Sequence, residues 1–176
     1  ERMNDMNKLL KKCFRIIIIF IFALTLTTAT ISAETDPKWG SQSPNINVPN
    51  NNYNDNWKAP MNAAAVAWNG TPTKVTVGFS SSSKNKLLAD SYSDTWYGLS
   101  TSANPGPFTI KLNSRTINRD ASNFYNFVKS VLVHEYGHIF CLDHTTKVSI
   151  MNDSRNRNTM TTPQQFDINE VNSVYK

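Results

Sequence analysis

Cysteine, histidine and long apolar runs are all scarce in this 176-residue chain. Two cysteines, Cys13 and Cys141, exclude a disulfide-stapled scaffold. The longest apolar stretch, "IIIIFIFALTL" (16–26), has eleven residues, too few to span about 30 Å of hydrocarbon as a helix. Internal repeats are absent, so a solenoid is excluded. A clustered Lys/Arg stripe is absent too. The formal charge of +5 is largely local, because residues 1–33 hold five basic residues against two acidic ones. The remaining thirteen basic and eleven acidic residues give no footprint for a nucleic-acid partner. The three histidines all fall within residues 134–144.

The N-terminal segment reads as an export signal. A cationic start, "MNKLLKKCFR" (6–15), precedes the apolar stretch, and small polar residues, "TTATISA" (27–33), follow it. That order is the layout of a secretory signal peptide, with cleavage expected between Ala33 and Glu34. Residues 1–5 fit no functional pattern, so Met6 is read as the start. The exported chain is expected to be extracellular, to have no membrane attachment once the signal is gone, and to be a monomer. Cys141 is then its one cysteine.

Three regions follow from this reading: a leader over 1–33, a polar lead-in over 34–56, and a catalytic domain over 57–176. The lead-in is rich in asparagine, a turn and cap former, with one short strand expected near Ile46 and Val48. Met61, Ala64, Ala65 and Trp68 share a helical face, which predicts a helix over 59–69. Asn69, Gly70 and Pro72 end it. Val75, Val77 and Phe79 alternate, as do Phe108, Ile110 and Leu112, predicting strands over 74–80 and 108–113. A short strand is expected over 95–100, and residues 80–86 read as a loop. A second helix is expected to start near Asp120 or Ser122, running to about Phe140 with Phe124, Phe127, Val128 and Val131 inward. A third opens at Thr162, with Ile168, Val171 and Tyr175 as its apolar stripe. Strands and helices do not alternate regularly. The expected class is therefore α+β, a mixed twisted sheet with three main helices.

The histidines carry the chemistry. On a helix, His134 and His138 lie one turn apart on one face and can grip a single metal ion. Glu135 lies about 100° round the helix, close enough to take a proton from a water on the metal without ligating it. This is the H-E-x-x-H arrangement of zinc hydrolases. A catalytic zinc usually has three protein ligands and one open position, and His144 is the candidate third. Six residues past His138, it reaches the site only if the chain turns back after about Phe140.

"HEYGHIFCLDH" is similar to the metzincin motif H-E-x-x-H-x-x-G-x-x-H, and in detail it resembles the matrixins. "SIMND" (149–153) places Met151 where that family has its Met-turn methionine. "TPQQFDINEVNSVYK" (162–176) resembles the matrixin C-terminal helix, with Asp167 at the position of an acidic residue that braces the Met-turn. "WYGLS" (96–100) and "FTIKLN" (108–113) resemble the strands preceding the active-site helix. The resemblance covers residues 57–176 and implies a zincin-like fold with a shallow cleft between an edge strand and the H-E-x-x-H helix. It implies a secreted zinc endopeptidase acting on protein or peptide substrates, with Glu135 as general base. A structural Ca²⁺ ion is compatible with it, although no ordered calcium-loop pattern is present. No prodomain fits between Ala33 and the catalytic domain, and no cysteine precedes the helix to cap the zinc. Residues 152–158, "NDSRNRN", are more polar and cationic than the family's specificity-pocket wall. Cys141 occupies the family's glycine position, where a left-handed turn is expected. The alternative function is a catalytically weak relative that binds a protein partner through the same cleft.

Overall fold

The computed structural model describes residues 41–48, 55–103 and 106–176. The export-signal reading falls on residues 1–33, outside these. Among the described residues no helix is long and apolar enough to cross a membrane.

Five strands and four helices make up the described fold. In chain order they are β1 (Asn45–Ile46), α1 (Asp55–Asn69), β2 (Gly78–Phe79), β3 (Lys86–Asp90), β4 (Gly98–Ser102), β5 (Phe108–Asn113), α2 (Ser114–Asp120), α3 (Phe124–Ile139) and α4 (Gln165–Val174). β5 is central to one sheet, parallel to β3 and antiparallel to β4. β1 and β2 pair in parallel. A single bridge from Asn47 to Lys86 joins this pair to β3. Mixed strand directions and separate helices match the α+β reading.

Several expectations shift. α1 begins at Asp55, four residues before the apolar pattern predicted. Pro60 removes one helical hydrogen bond, yet the extra turn holds because Trp57 is buried edge-on against Phe124, ring centres 4.9 Å apart. Phe79, expected inward, is 42% exposed, while Val75 and Val77 are buried. β3 was not expected, since its pairing with β5 joins residues over twenty positions apart. The short α2 was also not expected. Asn113, the last residue of β5, caps it by accepting the Arg115 N–H at 3.2 Å.

The core lies between the sheet, α1 and α3. Leu87, Ile110 and Leu112 from the sheet, Trp68 from α1, and Val128 and Leu132 from α3 are all fully buried. Trp68 packs edge-on against Phe140 and donates its indole N–H to the Val133 carbonyl at 2.8 Å. Burying one such side chain contributes roughly 1.5–3 kcal/mol. That contact fixes α3 at the residue before His134.

Candidate metal centre

Asn123 caps α3, its side chain accepting the Asn126 N–H at 3.0 Å. The helix then carries His134, Glu135 and His138 inward, with His134 and Glu135 buried. It ends in a tight reversal. The Leu142 N–H returns to the Gly137 carbonyl at 2.9 Å and the Cys141 N–H to the His138 carbonyl at 3.0 Å. This is the Schellman pattern, whose residue past the cap takes the left-handed conformation. Here that residue is Cys141, with φ 68°, a conformation costing an L-residue about 1–2 kcal/mol.

The reversal brings His144 back beneath the helix. Its Nε2 lies 3.2 Å from the Nε2 of His134 and 3.2 Å from that of His138. The surroundings assign the tautomers. His134 Nδ1 faces the Ile150 carbonyl at 2.9 Å and His138 Nδ1 the Leu142 carbonyl at 2.8 Å. Carbonyls only accept, so both Nδ1 atoms carry the proton. His144 Nδ1 faces an Asp153 carboxylate oxygen at 3.5 Å. Arg155 Nη1 also lies 3.2 Å from His134 Nδ1, but that nitrogen has no lone pair to give, and Nη1 donates to the Asn152 carbonyl at 3.1 Å.

Each Nε2 therefore presents a bare lone pair to the same point. Without a cation this repels; with one it binds. Tetrahedral zinc with nitrogens at about 2.0–2.1 Å separates its ligand atoms by about 3.3 Å, close to the 3.2 Å found. Among the described residues this trio is the one His/Cys/Asp/Glu group with converging ligand atoms. Burial first, then nearby Arg155, hold His134 well below its ordinary pKa; burial also lowers His138. Neutral imidazole is the ligating form, so the residues fit a zinc ion.

The Glu135 carboxylate meets β4. The Ser100 hydroxyl donates to its Oε2 at 2.7 Å. Burial pushes its carboxyl up to about 7, and the Ser100 hydrogen bond works in the opposite direction. Gly98 permits this approach, since a Cβ there would overlap the Glu135 carboxylate and come 2.6 Å from Val131 Cγ1. Gly137 has a similar part beneath the helix, where a Cβ would overlap the Met151 sulfur. Met151, buried, thus forms the floor under the helix turn that carries His138.

Asp167, fully buried near the start of α4, ties this floor together. One carboxylate oxygen accepts the Ser149 hydroxyl. The other accepts the Ile150 N–H at 2.9 Å and the Gln164 N–H at 2.7 Å. Ile150 is the residue whose carbonyl orients His134. The histidine spacing pointed to the ligands; Ser100, Asp153 and Arg155 carried no comparable sequence signal. They reach the site across 35, 9 and 21 positions, measured to the residues they touch.

A cleft of about 580 Å³ runs between β4 and α3, lined by Tyr97 to Ser100 on one side and by Val131, His134, Glu135 and His138 on the other. Among the described residues β4 is the sheet's edge strand on this side.

An edge strand, a helix bearing H-E-x-x-H and a methionine-floored turn define the zinc-dependent peptidases of metzincin type. The chain matches the matrixin peptidase family over residues 27–176 and belongs to that family. No curated protein sequence matches it. A solved structure described as the GM1-bound form of the ECX AB5 holotoxin is similar in fold, with a TM-score of 0.55 at 16% identity, over 77% of this chain and 81% of that one.

Proposed function

We propose that this chain is an exported zinc-dependent endopeptidase, with His134, His138 and His144 holding the metal and Glu135 as its general base. The observation that carries this reading is the convergence of three anchored imidazole lone pairs beside a buried carboxylate on the floor of an open cleft. Bound zinc supplies a Lewis acid that polarises the scissile carbonyl and lowers the pKa of water.

The rest is work for the chain's own residues. β4 has an open edge on which an extended peptide adds as a further strand, held by main-chain hydrogen bonds. Ser100 fixes the Glu135 rotamer from this same strand. The Glu135 carboxylate takes a proton from the attacking water and returns it to the leaving amine. Its burial supports that task, because a base with a pKa near the working pH both accepts and releases a proton readily. The carbonyls of Ile150 and Leu142 and the Asp153 carboxylate orient the three imidazoles, and such partners tune ligand basicity.

The test is metal analysis of the purified protein together with cleavage profiling on a diverse peptide library, with and without chelator. One zinc per chain, chelator-sensitive cleavage, and a Glu135→Ala variant that retains zinc but loses roughly 10²–10⁴-fold activity are expected. Zinc content unchanged by substituting all three histidines defeats the reading. Near-normal turnover in Glu135→Ala assigns the base elsewhere. A protein that binds peptides and zinc without cutting is the binding-module alternative.

A further inference from the structure

The cleft is also lined by two guanidinium groups, Arg155 and Arg157. Arg155 is committed to the fold: Nε donates to the Ser130 hydroxyl and Nη2 to the Ser130 carbonyl, each at 3.2 Å. Arg157 is placed differently. Its guanidinium lies over the Tyr97 ring, 4.8 Å from the ring centre, and it is half-buried. Among the described residues it donates no side-chain hydrogen bond to the protein and has no carboxylate within ion-pair distance.

The segment that carries Arg157 is pinned on both sides. Before it, Arg155 is bonded to Ser130 of α3. After it, the Asn158 side-chain oxygen accepts the Asn123 N–H at 2.8 Å, and its carbonyl accepts the Asn126 amide at 2.9 Å. Tyr97 is itself held, its hydroxyl donating to Asp120 at 2.8 Å. A preorganised cation therefore faces the cleft with its fork of donors uncommitted. Stacking on an aromatic ring leaves a guanidinium's in-plane N–H groups available for bidentate pairing with a carboxylate. Asp153 and Glu135 attract Arg157 across the cleft, but neither pairs with it directly: Glu135 accepts from Ser100, Asp153 faces His144, and Asp143 accepts the His144 N–H.

We infer that Arg157 is a specificity-determining residue that selects peptides carrying a glutamate or aspartate side chain beside the scissile bond. This rests on the peptidase reading above and names its substrate class. The acidic side chain lies in the cleft against the Arg157 fork. An apolar or cationic side chain leaves the fork unpaired or repelled.

The experiment uses the zinc-loaded full chain and a peptide set that varies Glu, Gln, Leu and Lys at each position flanking the cut. A charge-assisted pair in a half-buried cleft favours Glu over Gln by on the order of tenfold in kcat/KM at one position, shrinking in 1 M salt. Arg157→Gln brings the Glu-to-Gln ratio to near one, and Arg157→Glu turns the preference toward Lys. Tyr97→Leu, which keeps the charge but removes the stack, lowers the ratio partway. In parallel, fluorescence anisotropy of the uncut peptides on Glu135→Ala protein reads the same preference as binding. Glu-selective binding without cleavage in the wild type defeats the peptidase reading and leaves Arg157's role standing. Equal handling of Glu and Gln at every position, a ratio untouched by Arg157→Gln, or no peptide binding at all overturns the inference.

Discussion

Removing the Asp167 carboxylate tests how far the metal site depends on groups that never touch the metal. Asp167→Ala leaves two buried donors and one half-buried donor without their acceptor: the Ser149 hydroxyl and Ile150 N–H, and the Gln164 N–H. An orphaned buried donor costs about 1–3 kcal/mol. The two buried donors and the half-buried one, with some relief by local rearrangement, give about 3–5 kcal/mol. For a domain of this size 1 kcal/mol moves the melting point by about 4 °C, so a drop of about 12–20 °C is expected in thermal melts of the metal-free protein. Asp167→Asn is milder. One amide oxygen still serves both backbone N–H groups, while the amide N–H₂ turns toward the Ser149 oxygen, which already accepts the Met151 N–H at 2.8 Å. The expected cost is about 1–2 kcal/mol, for lost charge assistance and one displaced hydroxyl proton. Since Ile150 orients His134 through its carbonyl, the alanine variant is also expected to bind zinc about 10–100-fold more weakly, measured by chelator competition. An Asp167→Ala protein that melts within about 3 °C of wild type and keeps its zinc affinity refutes this account of the floor.

Three further outcomes are expected. Cys141→Gly relieves about 1–2 kcal/mol of left-handed strain but loses thiol burial and gains unfolded-state entropy; it should match wild type and exceed Cys141→Ala by about 1 kcal/mol in thermal melts, and an alanine variant as stable as glycine contradicts the strain. Gly98→Ala pushes a Cβ into the Glu135 carboxylate, so cleavage is expected to fall about 10²-fold with zinc stoichiometry intact; full activity means the strand and helix separate without consequence. Burial holds Glu135 at about 7 against an ordinary 4.5 in the metal-free chain, so the fold disfavours its charged form. The wild-type penalty is absent below the unfolded pKa, grows as pH rises from 4.5, and is complete above 7. Glu135→Gln in chelator should therefore melt with wild type near pH 4.5 and above it by pH 8, by up to about 3 kcal/mol; a gap that narrows with rising pH contradicts the burial argument.

The sequence by itself determined the parts of this protein whose partners are near one another along the chain. His134 and His138 share a helical face because of the 3.6-residue repeat, and the return of His144 requires a reversal that residues 139–143 make locally. Strand alternation over 108–113 and the inward face of the second main helix were legible for the same reason: each is a periodic pattern written against one buried surface. Met151 and Asp167 were visible only through the resemblance to a family, because nothing in their spacing says that they meet. Tertiary structure alone decided the rest. β3 forms because β5 offers it a parallel partner, and α1 gains a turn because Trp57 finds Phe124. Ser100 reaches Glu135 only after β4 is laid along α3, and Arg157 faces the cleft only because Arg155 and Asn158 bind its segment to that helix. Such contacts join side chains tens of residues apart, and no local propensity or period encodes them. They depend on the packing of elements, which closes only once the whole core has formed.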